Sequence, residues 1–455
     1  MNRVRHLLTN TLAFLLNNSL FLIAGAALAL GWANLDNSGY EAFIHGAATH
    51  VAPGQESAEA GHASGVTFHF IVNDVLMCFF FAIAAKEIWE ALLPGGALSS
   101  PKKAATPLLA TLGGVVGPAF LYIGGTHLFA RPDLARGWAI PCATDIAFSY
   151  LVARLVFGSR HPAIPFLLLL AIADDAVGLV ILAVFYPSGE LQLPLFVGCV
   201  GAALAINLVL RRFRVTSFWA YLVIAGPIAW YGFFRGGVHP ALALVPLIPT
   251  LPHEPRDAGL FAEDGLEEAQ RPHDALNEFE HWWKNPVELI LLAFGLANAG
   301  VLLSNIGLPT ALVSVGLLVG KPVGIVLLTL LSVKVLRLEM PVGMSLRDVV
   351  VLGVMAGIGF TVALFVAAVA FKPPAPAAVL DSAKMGALLS FFAAFLAFGA
   401  ARALRVGRWV ETVESVEAPA PPSDITESAT PSDRDAGSRP TSQRPPLEQP
   451  RTLPT

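Results

Sequence analysis

Charge is scarce in this chain. Only 14% of its 455 residues are Asp, Glu, Lys or Arg, while 55% are hydrophobic and the mean hydropathy is +0.64. A water-soluble domain carries about a quarter charged residues, so an ordinary soluble core is excluded and the bilayer is the expected solvent. Basic tracts with interleaved aromatics are missing, and a net charge of −4 gives no basis for a nucleic-acid partner. Cysteine is nearly absent. Cys78, Cys142 and Cys199 all sit in apolar runs, with neither metal-ligand spacing nor a disulfide pattern. Residues 33–66, the first polar stretch, lack Lys and Arg altogether. They hold His45, His50 and His62, with His69 just beyond, but without the regular spacing of a zinc site.

What the chain has instead is hydrocarbon in long runs. A membrane span needs about 20 apolar residues to cross about 30 Å at 1.5 Å per residue. The sequence predicts an all-α membrane protein of about twelve transmembrane helices, near 11–32, 67–91, 104–126, 135–157, 162–186, 193–210, 216–233, 237–250, 285–304, 309–332, 347–371 and 379–404. The first run is longer than the roughly 7–15 apolar residues of a signal peptide, so it reads as a span. With the N-terminus cytoplasmic, 19 Lys and Arg fall in inner loops and helix ends against 5 in outer ones. That asymmetry predicts an even number of spans with both termini cytoplasmic, in a bacterial inner membrane. Residues 1–10 are then a cytoplasmic N-terminus and 11–404 a twelve-helix domain, with an outer loop at 33–66 and a charged cytoplasmic loop at 252–284. Residues 405–455, rich in Pro, Ser and Thr, cannot bury a core and are expected to form a disordered cytoplasmic tail.

Four ionisable residues fall inside predicted spans: Asp174 and Asp175 in "IPFLLLLAIADDAVGLVILA", Lys321 in "ALVSVGLLVGKPVGIVLLTLL", and Asp145 in "GWAIPCATDIAFSYLVARLV". Two acids at a helix centre cost about 6 kcal/mol on insertion scales, and the aliphatic and Phe residues around them return about 5. The fifth span is therefore close to neutral alone, and its acids must face the bundle or a water-filled cavity. Adjacent helical residues point about 100° apart, so one Asp can face a cavity while the other meets a cation on a neighbour. Lys321 is the only Lys or Arg deep inside any predicted span. One lysine cannot neutralise three acids, and the surplus carboxylates must hold protons or bind cations. Desolvation favours the protonated carboxyl and a bound cation favours the carboxylate; competition between the two is a mechanism for proton-coupled cation transport.

Two predicted spans carry helix breakers at matched positions. In "AIPCATDIAF", Pro141 removes a backbone donor, and Thr144 and Asp145 can bond backbone groups outside the helix. In "VMAGIGFTVALF", Gly357 and Gly359 weaken the helix just before Thr361. One lies in the middle of spans three to five and the other in the middle of spans ten to twelve, which points to inverted repeats with a midplane binding site. Broken helices leave partial charges at their ends; Asp145 is placed to balance a positive end and Lys321 a negative one.

The ordered set "VNDVLMCFFF", "WAIPCATDIAF", "LLLLAIADDAVGLVILAVFY", "GGVHPALA", "LANAGV", "LLVGKPVGI" and "GIGFTVALFVAAVAF" resembles the bacterial NhaA sodium/proton antiporters over about residues 6–404. The resemblance implies twelve helices with the fourth and eleventh unwound and crossing, and electrogenic exchange of intracellular Na+ or Li+ for external H+, serving pH and sodium homeostasis. It implies that Asp175 is the main cation- and proton-binding carboxylate, that Asp174 pairs with Lys321, and that Asp145 and Thr144 sit at the helix-four break. His239 in "GVH", Glu280 in "FEH" and Glu87 match residues tied to pH response, and Lys384 in "SAKMG" a lysine of the last helix. No cofactor is expected; the metal bound at Asp175 and Asp174 is the transported ion. The family's "GLEVKRE" is replaced by "AAKEIWE", and the first outer loop, where the family can form a dimer hairpin, is longer here. A homodimer is expected. Two competing functions fit less well. An intramembrane aspartyl protease would carry a "GxGD" signature where this chain reads "AIADD", and a sodium-coupled organic-anion symporter would want a roomier polar cavity.

Overall fold

Apolar runs interrupted by proline and glycine fold here as helices interrupted at the same places. The computed structural model describes residues 20–46, 66–253, 274–372 and 375–406. The start of the first expected span, most of the outer and inner loops, and the expected tail from 407 onward lie outside the described residues, as do Arg3, Arg5, His50, His62, Arg256, Arg271 and Arg408. Among the described residues the elements are all helical.

In chain order they are α1 (Leu20–Leu35), α2 (Asn37–His45), α3 (Phe68–Leu92), α4 (Pro101–Leu128), a 3-10 segment Pro132–Cys142 leading to α5 (Ile146–Phe157), α6 (Ala163–Phe185), α7 (Leu193–Arg212), α8 (Phe218–Gly236), α9 (Ala275–Asn298), α10 (Leu308–Lys334), α11 (Leu346–Ala356), α12 (Phe360–Ala370) and α13 (Ala377–Ala403). By length and composition α3, α4, α6, α7, α10 and α13 can each cross a membrane. Two further pairs, Pro132–Cys142 with α5 and α11 with α12, do so together but bend by 52° and 48° at their breaks. The expected spans at 216–233, 237–250 and 285–304 fall on helical segments that are shorter or less apolar than that, and the one at 11–32 is described only from residue 20.

One expectation is corrected in form. The run 237–250 is not one short helix but two 3-10 turns, Pro240–Leu242 and Val245–Thr250. Pro240, Pro246 and Pro249 each lack the N–H that an α-helix would need, so the chain closes tighter turns between them.

Helix packing in lipid gains little from the hydrophobic effect and relies on close van der Waals contact, which favours small residues at crossings. The crossing of α4 and α10 is built that way. Gly113 and Gly117 face Gly324 and Gly320, and a methyl group at Gly113, Gly117 or Gly324 would fall inside the shell of a facing carbonyl oxygen. This approach brings α10 near enough for Lys321, the next residue after Gly320, to enter the bundle. A π-turn over Gly316–Gly320 immediately precedes it; such turns shift a helix's register and often mark functional sites. Two apolar clusters complete the packing. One joins α5, the first half of α6, α11 and the end of α13, through residues such as Phe157, Leu167, Leu352 and Ala397. The other joins α1, α3, α8, α9 and α12, through Phe81, Phe294 and Phe365 among others.

Candidate ion-binding site

Asp174 and Asp175 fall midway along α6, in a helix otherwise made of aliphatic, small and Phe side chains. Asp174 is buried, and its Oδ2 accepts a hydrogen bond from Lys321 Nζ at 2.7 Å, an ion pair with both side chains shielded from solvent. Lys321 is fully buried and also donates to the main-chain oxygen of Cys142, the last residue of the 3-10 segment. That carbonyl is one of the acceptors a helix end leaves without a partner, so the lysine balances a carboxylate and a negative helix end together. Asp174 Oδ1 is buried with no hydrogen-bond partner.

Asp175 is half-buried, and no hydrogen bond or ion pair to its side chain forms among the described residues. Both aspartates line one cavity, whose remaining wall comes from Phe80, Phe81 and Ala84 of α3, Ala143 at the first break, Gly178, Leu179 and Leu182 of α6, and Val362 of α12. Two carboxylates therefore meet at a small space walled by hydrocarbon, with one lysine paired to the first of them. Such a site retains a negative charge unless a proton or a cation neutralises it.

The two broken segments meet beside this cavity. Asp145 caps α5, its Oδ1 accepting from Phe148 N at 3.1 Å, which offsets the positive N-terminal end of that helix. Its Oδ2 accepts from the Thr361 hydroxyl, and its main-chain N–H donates to Ile358 O at 2.7 Å. Thr144 Oγ1 donates to Ala356 O at 3.1 Å and Ser149 Oγ to Met355 O at 3.0 Å, so one side chain of the first break and one of α5 satisfy carbonyls at the end of α11. Gly359 N donates to Ser390 Oγ of α13 at 3.2 Å. A Cβ at Gly359 would lie 2.8 Å from Ala143 O, so glycine is what allows the second break to lie against the first. Buried non-helical backbone is tolerated in a membrane only when its polar groups are paired in this way.

The residues expected to govern pH response are not in this constellation. His239 is buried, its Nδ1 accepting from Ala241 N at 3.3 Å at the start of a 3-10 turn and its ring edge-on to Phe365 at 5.0 Å. Glu280 is buried and bonded to Lys86, which also pairs with Glu90 four residues along α3. Glu87 is half-buried, one turn along α3 from Ala84 of the cavity wall. Lys384 is buried in α13. The i,i+4 spacing of Lys86 and Glu90 is the signal in the sequence that this lysine is paired. Ser149, Ser390 and the carbonyl of Cys142 were missed. The two hydroxyls could have been found as isolated polar groups in apolar helices, whereas a main-chain partner leaves no mark in sequence.

The family profile described as Na+/H+ antiporter 1 matches residues 11–401. The protein named Na(+)/H(+) antiporter NhaA of Jannaschia sp. (strain CCS1) is 51% identical over 406 residues, covering 84% of this chain and 94% of the relative. The protein of that name from Geobacter sulfurreducens is 47% identical over 371 residues, covering 81% and 91%. The one from Desulfitobacterium hafniense (strain DSM 10664 / DCB-2) is 46% identical over 388 residues, covering 85% and 94%.

Proposed function

The chain belongs to the Na+/H+ antiporter 1 family, and on that premise we propose that the cavity between α3, α6 and α12 is where Na+ and H+ compete. The protein is a secondary transporter in a membrane and not an enzyme; it exchanges Na+ for H+ and needs no cofactor. Asp175 is the exchanging carboxylate and Asp174, with its unpaired Oδ1, the second ligand. A cation entering from the cytoplasm displaces protons from the pair, and protons arriving from outside displace the cation. When Asp174 gives up its bond to Lys321 it too can carry a proton, so more protons enter than Na+ or Li+ ions leave and the exchange is electrogenic. Lys321, Asp145 and Thr144 compensate charges and dipoles at the breaks while the carboxylates change state.

The same reading extends to the architecture. Twelve spans cover 11–404, with α11–α12 and the Pro132–Phe157 segment acting as two unwound helices that cross in inverted repeats, flanked by a cytoplasmic N-terminus at 1–10 and tail at 405–455. Both termini lie on the cytoplasmic side of a bacterial inner membrane, and the chain works as a homodimer. His239, Glu280 and Glu87 serve pH response from outside the cavity, the Lys86 pairing tying Glu280 to α3.

The observation that carries the exchange reading is the mismatch of charge: two carboxylates at an apolar cavity, and one lysine paired to the first of them. Everted membrane vesicles from cells lacking other Na+/H+ exchangers, loaded with a pH-sensitive dye and acidified by respiration, give the test. Added Na+ should dequench the dye when this chain is present. Na+ uptake with no proton efflux would point to the organic-anion symporter instead.

A further inference from the structure

One wall of the cavity is unlike the others. Asp174, Asp175, Gly178, Leu179 and Leu182 share the face of α6 that borders it, and opposite stand Phe80, Phe81 and Val362. Among these, Gly178 alone has no side chain, and a Cβ placed there would meet no heavy atom within 4 Å. This glycine is not packed against a neighbouring backbone, unlike those of the α4–α10 crossing. It is one turn from both carboxylates, and it leaves space beside them.

That space bears on what the site can hold. An alkali cation gives up water only where protein oxygens replace it. Lys321 already occupies Asp174 Oδ2, which leaves Asp174 Oδ1 and the two oxygens of Asp175 as the free carboxylate ligands; the Phe, Leu and Val side chains offer none. The main-chain oxygen of Ala143, at the first break, is the other protein oxygen on the cavity wall; water supplies what these do not, and water needs room. The free volume of the cavity is about 20 Å³, and one water needs about 10–15 Å³ measured in the same way, so a single added carbon is enough to displace a water. Na+ is larger than Li+ and holds more oxygens around it, so it depends more on retained water.

We propose that Gly178 is a specificity-determining residue, keeping open the space in which a partly hydrated Na+ binds beside Asp174 and Asp175. This rests on the reading of the cavity as the exchange site. Filling the space with carbon removes a water that Na+ needs more than Li+ does.

Gly178→Ala and Gly178→Ser test it in the same everted vesicles, with Na+ and Li+ titrated separately. Alanine is the stronger helix former and meets no atom, so the fold should persist. The ratio of the apparent KM for Na+ to that for Li+ should rise about tenfold in Gly178→Ala, the scale at which one methyl discriminates in a pocket. Serine, equal to alanine in carbon but with a hydroxyl oxygen, should bring the ratio back toward wild type by standing in for the lost water. A ratio unchanged within twofold in both variants overturns the proposal, as does an equal loss for both ions. Parent vesicles that show no dequenching with either ion overturn the exchange reading itself. Should either variant fail to insert, Gly178→Cys labelled with a small methylating thiol reagent in the folded protein gives the same comparison, with the unlabelled form as its reference.

Discussion

Asp175→Asn should abolish Na+-driven proton movement and leave the protein folded. The amide has the shape of the carboxyl but cannot carry a negative charge or exchange a proton. No bond within the protein is lost, because Asp175 has no hydrogen-bond or ion-pair partner among the described residues. An unpaired carboxylate facing hydrocarbon costs stability, so the melting temperature of the purified variant should equal that of the parent or exceed it. Dequenching by Na+ and by Li+ should both fall to the background of vesicles without the protein. Asp174→Asn is a different case, since it breaks the bond to Lys321 Nζ and leaves a buried ammonium. It should lose stability as well as exchange. Activity that survives in Asp175→Asn would remove this residue from its role, whatever Asp174 does.

Lys321→Ala should be the most destabilising single change in the site. Removing one partner of a buried ion pair costs about 3–5 kcal/mol, because the other charge is left without compensation. Here the substitution also frees the carbonyl of Cys142 at the end of the 3-10 segment, a further acceptor buried without a donor. The pH dependence has a definite sign. With the lysine gone, Asp174 can escape its burial cost only by taking a proton, which acid supplies and alkali removes. The loss of melting temperature relative to the parent should therefore be larger at alkaline pH than at acid pH. The double variant Lys321→Ala with Asp174→Ala removes both charges and should recover part of the loss, since an uncharged pair has no ion to bury. A loss independent of pH, with no recovery in the double variant, would mean that Lys321 acts through packing against α4 and not through its charge.

Much of this site was legible because its residues are costly. Asp174, Asp175 and Lys321 stand out in hydrocarbon runs, and the fifth span balances near zero only if they are compensated. The roughly 100° between adjacent helical residues said that the aspartates must part company, but nothing local said which of them meets Lys321 across 147 residues of chain. Pro141, Gly357 and Gly359 marked the two breaks, since each weakens a helix by a known mechanism. That Asp145 N bonds Ile358 O, with Gly359 against Ala143, depends on how two distant segments dock. The Lys86–Glu280 pair spans 194 residues and was hidden for the same reason. The 237–250 run shows a different failure: its hydropathy read as one short helical span, whereas Pro240, Pro246 and Pro249, closely spaced, close it into two 3-10 turns. Periodicity and cost are local signals, whereas pairing between distant helices is settled by packing.

If Na+ and protons compete for the same carboxylates, binding one must release the other. Calorimetric titration of the purified protein with Na+, repeated in buffers of different protonation enthalpy, measures that competition without any membrane. Na+ binding should release about one to two protons per ion, and for each unit that the pH falls the affinity should weaken by up to about tenfold per proton displaced; in Asp175→Asn both effects should vanish. Na+ binding with an affinity independent of pH, and with no proton released to either buffer, would contradict the account.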